Sequence, residues 1–269
     1  KIPVPSTVTE ALDAISNLNS VRKVYVLDGS SLKQITTQNL ATDYTGTGKL
    51  TGTYTVNQRL ALLNYLGYKT TFPAAASQTT LTNSQIAPLA VNPASPYRFL
   101  GGVLHSTPLM VTKESTVSSN NAVGSREEYT VYGSMEGGLH IVNSATGKEQ
   151  SVFVPQEILS NQYDTLASSG STGVESLTGI AYGVDAPWVA DNTFKVQTTT
   201  SSSASTTKYI ANKINIYGGL RMGGKALYGL DILSPASPKI LFHITPSTSG
   251  FGRMAQIWSK PTIAEIRVK

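Results

Sequence analysis

The sequence contains no cysteine, which excludes a disulfide framework, a zinc–thiolate site and a cysteine nucleophile while leaving secretion open. Charge is scarce as well: Asp, Glu, Lys and Arg make up 14% of 269 residues, and the net charge of +5 is spread along the chain. No Lys/Arg run with interleaved aromatics occurs, so no nucleic-acid partner is expected. No apolar run approaches the roughly 18–20 residues that span a bilayer, so no transmembrane segment is expected either. Lys1 opens the chain without Met or signal peptide, as in a mature or trimmed piece. What is plentiful is Ser, Thr, Gly, Asn and Tyr, a composition frequent among extracellular β-rich proteins. The length suffices for a full-sized core in one or two domains.

Helical spacing is confined to a few places. "TEALDAISNL" offers Thr9 as a cap and Leu12, Ile15 and Leu18 on one face; "NQRLALLNYLGY" offers Asn57 as a cap, the stripe Leu60, Leu63 and Leu66, and Gly67 near the C-cap. These predict helices over 9–18 and 57–66, and a short third is expected over 156–160. Residues 36–56 read as loop or irregular hairpin, and 70–97 as a long connection. From Tyr97 onward short strands alternate with turn residues, including one strand on each side of Pro108. The Ser/Thr-rich "KVQTTTSSSASTTKYI" reads as an exposed, mobile hairpin loop. The chain thus divides into residues 1–56, a possible first blade or lead-in, residues 57–96, a helix and connection, and residues 97–269, a series of blades.

"VYGSMEGGLHIVNSATGKEQSVFVP", from Val131, and "IYGGLRMGGKALYGLDILSPASPKILFHI", from Ile216, share one order of parts. Tyr132-Gly133 corresponds to Tyr217-Gly218, Gly137-Gly138 to Gly223-Gly224, and His140 to Asn143 corresponds to Tyr228 to Asp231. Lys148 and Lys239 then lead to Phe153 and Phe242. A fainter copy runs from Tyr25 to Asp28 and on to Lys33. Three or four short antiparallel strands per unit, marginal alone and covered by neighbouring units, describe the blade of a β-propeller. Asn143 and Asp231, at strand ends, are expected to accept turn amides as Asx turns do. Two clear copies and one faint one do not close a ring of four to eight blades. The ring is therefore expected to be incomplete, and the native chain longer, with an upstream signal peptide.

Several segments in this order resemble the C-terminal propeller of the type IV pilus PilC/PilY proteins, over about residues 57–260. They are Gly-x-x-x-His-Ser-Thr-Pro at Gly101 to Pro108, Gly-x-x-x-Gly-x-Leu-His at Gly133 to His140, and Phe-x-Pro at Phe153 to Pro155. A Tyr-x-Val-Asp segment follows at Tyr182 to Asp185, with Pro187 one residue early, and a double-glycine blade ends in Gly229-Leu230-Asp231. The resemblance implies a mainly β fold, a partial propeller of quinoprotein-like blades with a few short helices. It implies a pilus biogenesis factor and adhesin that opposes retraction, with minor pilins or the pilus tip and a host-cell receptor as partners. The location implied is extracellular, at the pilus tip or the outer-membrane surface of a Gram-negative bacterium.

The family's calcium loop, Asp-x-Asp-x-Asp-Gly-x-x-Asp, does not occur in this sequence. Asp185 and Asp191 are the nearest clustered pair, and two carboxylates alone do not supply six to eight oxygen ligands. No cofactor is expected in this piece, whereas calcium remains possible in the full-length protein.

Two other functions stay open. One is a plain carbohydrate- or protein-binding propeller, which the 13 tyrosines would suit. The other is a quinone-dependent dehydrogenase, whose repeat "HIVNSATGKEQSVF" resembles; Asn143 replaces its Asp and the repeat lacks its Trp. No catalytic residue is assigned. His105, His140 and His243 sit in apolar, strand-like contexts and are expected to be packed and hydrogen-bonded. Ser106 or His140 could join a Ser/His/Asp arrangement, but no Gly-x-Ser-x-Gly elbow is present. "GGLRMGG" lacks the Lys-Ser/Thr of a phosphate loop, and Glu127-Glu128 reads as a solvated turn.

Overall fold

The computed structural model describes residues 22–68, 70, 74–90, 101–167, 175–176, 179–201, 205–264 and 266; the helix expected over 9–18 lies outside them. The chain begins with a hairpin, β1 (Val24–Asp28) and β2 (Ser31–Gln34). Helix α1 (Val56–Tyr65) follows, and after it α2 (Asn83–Ala90). Next come β3 (Leu109–Ser118), β4 (Val123–Gly133), β5 (Leu139–Asn143) and β6 (Glu149–Val154), an antiparallel meander. Helix α3 (Gln156–Asn161) and a two-residue pair, β7 (Glu175–Ser176) with β8 (Gly179–Ile180), lead to the second meander. That one is β9 (Trp188–Thr200), β10 (Ser205–Gly219), β11 (Leu227–Asp231) and β12 (Lys239–Ile244).

The fold is mainly β, with two blade-sized meanders in one ten-stranded sheet and few helices. The meanders are the two repeats seen in the sequence. They are also joined: the outer part of β10 pairs with β3 from Thr206↔Ser118 to Ile210↔Glu114. The β1–β2 hairpin, the faint third copy, adds to the first meander through a parallel β1–β6 pairing. One core runs through all these parts, with Val24, Leu62, Leu139, Phe153, Ile216 and Tyr228 buried in it.

Register refines the repeat by one residue. His140 stands opposite Tyr132, whereas Tyr228 stands opposite Gly218 and not Tyr217. Because strand faces alternate, that step places Tyr217 on the other side, stacked on Phe242 with centroids 5.8 Å apart. Trp188 is the cause: it pairs with Gly218, and a Cβ there would run into the indole.

Four sequence expectations are corrected. Helix α1 is capped by Thr55, in a reciprocal capping box with Gln58, and not by Asn57, whose Oδ1 accepts from Ala74 N (2.7 Å). The long connection contains α2, preceded by the same Thr-x-x-Gln spacing, with Thr82 N donating to Gln85 Oε1 (2.7 Å). The expected Ser/Thr loop is mostly strand, because Thr is β-branched and fits a ladder; Thr198 and Thr207 face each other across it. Residues 101–107, just before Pro108, form no strand, and groups of His105 and Ser106 bond instead to Asp185 and Gly133. The Asx turns are present: Asn143 Oδ1 accepts from Thr146 N and Asp231 Oδ1 from Leu233 N, both at 2.9 Å.

Candidate functional site

Each repeat has a loop between its second and third strands, and each loop brings a charged side chain to a histidine–carboxylate centre. In the first repeat the loop is Ser134–Gly138, and the centre is sealed. His140 on β5 is fully buried, with Nδ1 2.7 Å from Glu149 Oε2 and Nε2 2.9 Å from Glu136 Oε1. Glu149, opposite Val142 on β6, lies diagonal to His140 on the same face. Arg22 clamps Glu149 through Nε (2.7 Å) and Nη2 (3.0 Å), donates from Nη1 to Tyr65 O (2.8 Å), and lies 4.0 Å above the Tyr65 ring. Burial opposes ionisation of both glutamates. The charge and hydrogen bonds of His140, joined at Glu149 by Arg22, outweigh it and hold both carboxyls below the usual range. Burial likewise opposes the imidazolium, but the two carboxylates win and raise His140. Two cations and two anions therefore balance inside the fold.

The same residues have the outline of a hydrolase triad, since Ser134 Oγ lies 2.8 Å from His140 Nε2. Their chemistry differs. An imidazole kept protonated between two carboxylates takes no proton from a serine, and Ser134, Glu136 and His140 are all buried. This arrangement ties β5, β6, α1 and Arg22 together.

In the second repeat the loop is Leu220–Ala226, and the centre is half open. His105, from the Gly101 to Pro108 segment, meets Asp185 eighty residues later: Nδ1 lies 2.9 and 3.0 Å from the two carboxylate oxygens, and His105 N donates to Oδ1 at 3.1 Å. Asp185 is buried, while the His105 side chain is 45% exposed. Arg221 Nε lies 3.8 Å from Asp185 Oδ2, too far for a hydrogen bond, and has no hydrogen-bond partner although buried. Its guanidinium lies 4.9 Å above the Trp258 ring, and that residue is 54% exposed. Arg221 adopts φ +51°, a conformation that costs a non-glycine residue about 1–2 kcal/mol.

Backbone crossings hold this centre in place. Ser106 Oγ accepts from Gly133 N (2.7 Å), and Val184 N donates to Ser134 O (3.0 Å). Gly223 passes so close to Gly183 that a Cβ would overlap the Gly183 carbonyl oxygen. Sequence reading picked out several of these residues singly, but not that they meet. Local spacing carries no signal for a contact across eighty residues; only the ordered motifs point to it.

The remaining candidates lie apart. Asp185 faces His105 and Arg221, whereas Asp191 on β9 pairs with Lys213 Nζ (2.8 Å). Among the described residues no group of three or more His, Asp or Glu side chains is placed to hold a metal ion. His243 Nε2 lies 2.9 Å from Glu157 Oε1 and stacks on Tyr228 at 4.4 Å. Glu127 and Glu128 are on strand β4 and not in a turn; Glu127 pairs with Lys113 at 2.9 Å. Among the described residues no helix is long and apolar enough to cross a membrane.

No protein-family model matches the chain. It is 26% identical over 182 residues to the type IV pilus biogenesis factor PilY1 of Pseudomonas aeruginosa (strain UCBPP-PA14), which covers 62% of this chain and 14% of that protein. The crystal structure of the Pseudomonas aeruginosa PilY1 C-terminal domain matches 46% of this chain and 19% of that chain, at 21% identity and a TM-score of 0.25. By sequence, this chain is PilY1-like.

Proposed function

We infer that this chain is the propeller part of a type IV pilus biogenesis factor that acts outside the cell, at the pilus tip or outer surface. It opposes retraction and mediates attachment, with minor pilins and a host-cell receptor as its partners, and its role is one of binding and not catalysis. The observation that carries this reading is the similarity to PilY1, joined to the order of the motifs along the chain. The meeting of two of those motifs at His105 and Asp185 is in keeping with it.

Deletion of the gene tests it. Surface pili are expected to disappear, and to return when the retraction motor is deleted as well. Unchanged piliation with lost attachment would replace this reading with a plain surface-binding propeller.

A further inference from the structure

We propose that the half-open centre of His105, Arg221 and Trp258 is a binding site for a carboxylated sugar, a uronate or a sialate. The inference rests on the attachment part of the reading above and gives it a chemistry. Asp185 is the organiser. A carboxylate only accepts, so both of its oxygens beside His105 Nδ1 fix the proton on that nitrogen. A ring carrying that one proton presents Nε2 as an acceptor, on a side chain that is half exposed.

Arg221 is held near the same Asp185 oxygen but not bonded to it by Nε. Its guanidinium has a planar edge suited to a carboxylate, and the indole beneath it orients that edge. Left-handed backbone at an arginine is a strained arrangement of the kind that clusters at binding sites. Trp258 is exposed enough to offer a flat apolar surface.

An acceptor, a cation and an aromatic face in one place call for a ligand with a hydroxyl donor, a carboxylate and an apolar C–H face on a rigid frame. A carboxylated pyranose has all three. An acidic peptide side chain has the carboxylate without the adjoining hydroxyl.

Calorimetric titration of the protein with glucuronate and with N-acetylneuraminate tests the proposal and separates the two sources. Glucose, acetate and a di-aspartate peptide serve as controls. The indole N–H signals are followed in parallel, since the sequence has only two tryptophans and Trp188 is buried. Saturable binding of at least one acidic sugar is expected, about tenfold or more tighter than glucose, acetate or the peptide. It should move the Trp258 signal and leave Trp188 still. Arg221→Ala and Trp258→Leu should each weaken binding about tenfold, with folding checked by an unchanged Trp188 signal. Absence of saturable binding, equal binding of the peptide, or full affinity in both folded variants would overturn it. The measurement is made on isolated protein, so its failure leaves the pilus-assembly reading untouched.

Discussion

The two histidine–carboxylate centres each take a charged side chain from corresponding loops of the two repeats, Glu136 in the first and Arg221 in the second, yet they do opposite work. Around His140 every charge has an opposite partner and water is excluded. Around His105 one carboxylate serves two side chains, His105 and Arg221, neither of them sealed. The difference is set by what covers each loop. The first is overlain by α1 and Arg22 and is closed by Tyr132, stacked on His140 at 5.1 Å. The second faces outward beside the half-exposed Trp258. A repeated unit thus uses one loop position as an internal clamp in one copy and as an open surface in the next.

The largest expected effect breaks the sealed centre. Glu149→Gln leaves Arg22 buried with no full charge opposite it, and removing one partner of a buried pair costs about 3–5 kcal/mol. The same change at the open centre, Asp185→Asn, should cost only about 1 kcal/mol, because His105 can turn to water. Urea unfolding of both variants checks the contrast; equal losses would erase it.

The sealed centre also predicts a pH profile. The depressed carboxyls contribute stability in full above their unfolded value of about 4.3, and lose it as pH falls through their lower folded values. The raised imidazole contributes in full below about 6.5, and loses it as pH rises through its higher folded value. The difference in stability between wild type and Glu149→Gln should therefore be greatest between about pH 4.5 and 6.5 and shrink on both sides. A difference that keeps growing above about pH 7 would show that His140 is neutral in the fold.

Much of this was legible in the sequence, and the parts that were not share a cause. The repeat, the β-rich second half and the helix stripe of Leu60, Leu63 and Leu66 are periodic, so pattern reveals them. Glu149 beside His140 is readable from hairpin register once the turn is placed. The caps at Thr55 and Thr82 are written in plain spacing, but the asparagine next to one of them is an equally good local cap and only packing chooses between them. The one-residue shift at Tyr217 depends on Trp188, some thirty residues away in sequence. The His105–Asp185 contact and the strained Arg221 come from chain crossings, which leave no periodic trace.

Those crossings give the next prediction. Gly223→Ala would drive a methyl group into the Gly183 carbonyl, a backbone atom that no side-chain rotation can move. A loss of about 1–3 kcal/mol is expected, the range for overpacking a tight site, with the Trp258 indole signal displaced and that of Trp188 less so. A neutral result would mean that the second loop yields easily and that the open centre is not preorganised.

The smallest effect separates clamp from surface most cleanly. Arg221→Gly suits φ +51° and relieves the strain, while glycine adds about 0.5–1 kcal/mol of disorder to the unfolded chain. The ion pair lost with it is long, at 3.8 Å and without a hydrogen bond through Nε, and Asp185 keeps its contacts with His105, so its loss costs about 1 kcal/mol at most. These terms nearly cancel, so stability should change by less than about 1 kcal/mol. An arginine kept in a strained conformation for so little stability has its use outside the fold. A loss of more than about 2 kcal/mol in urea unfolding would instead make Arg221 a strut like Arg22, and the two centres would be variants of one structural device.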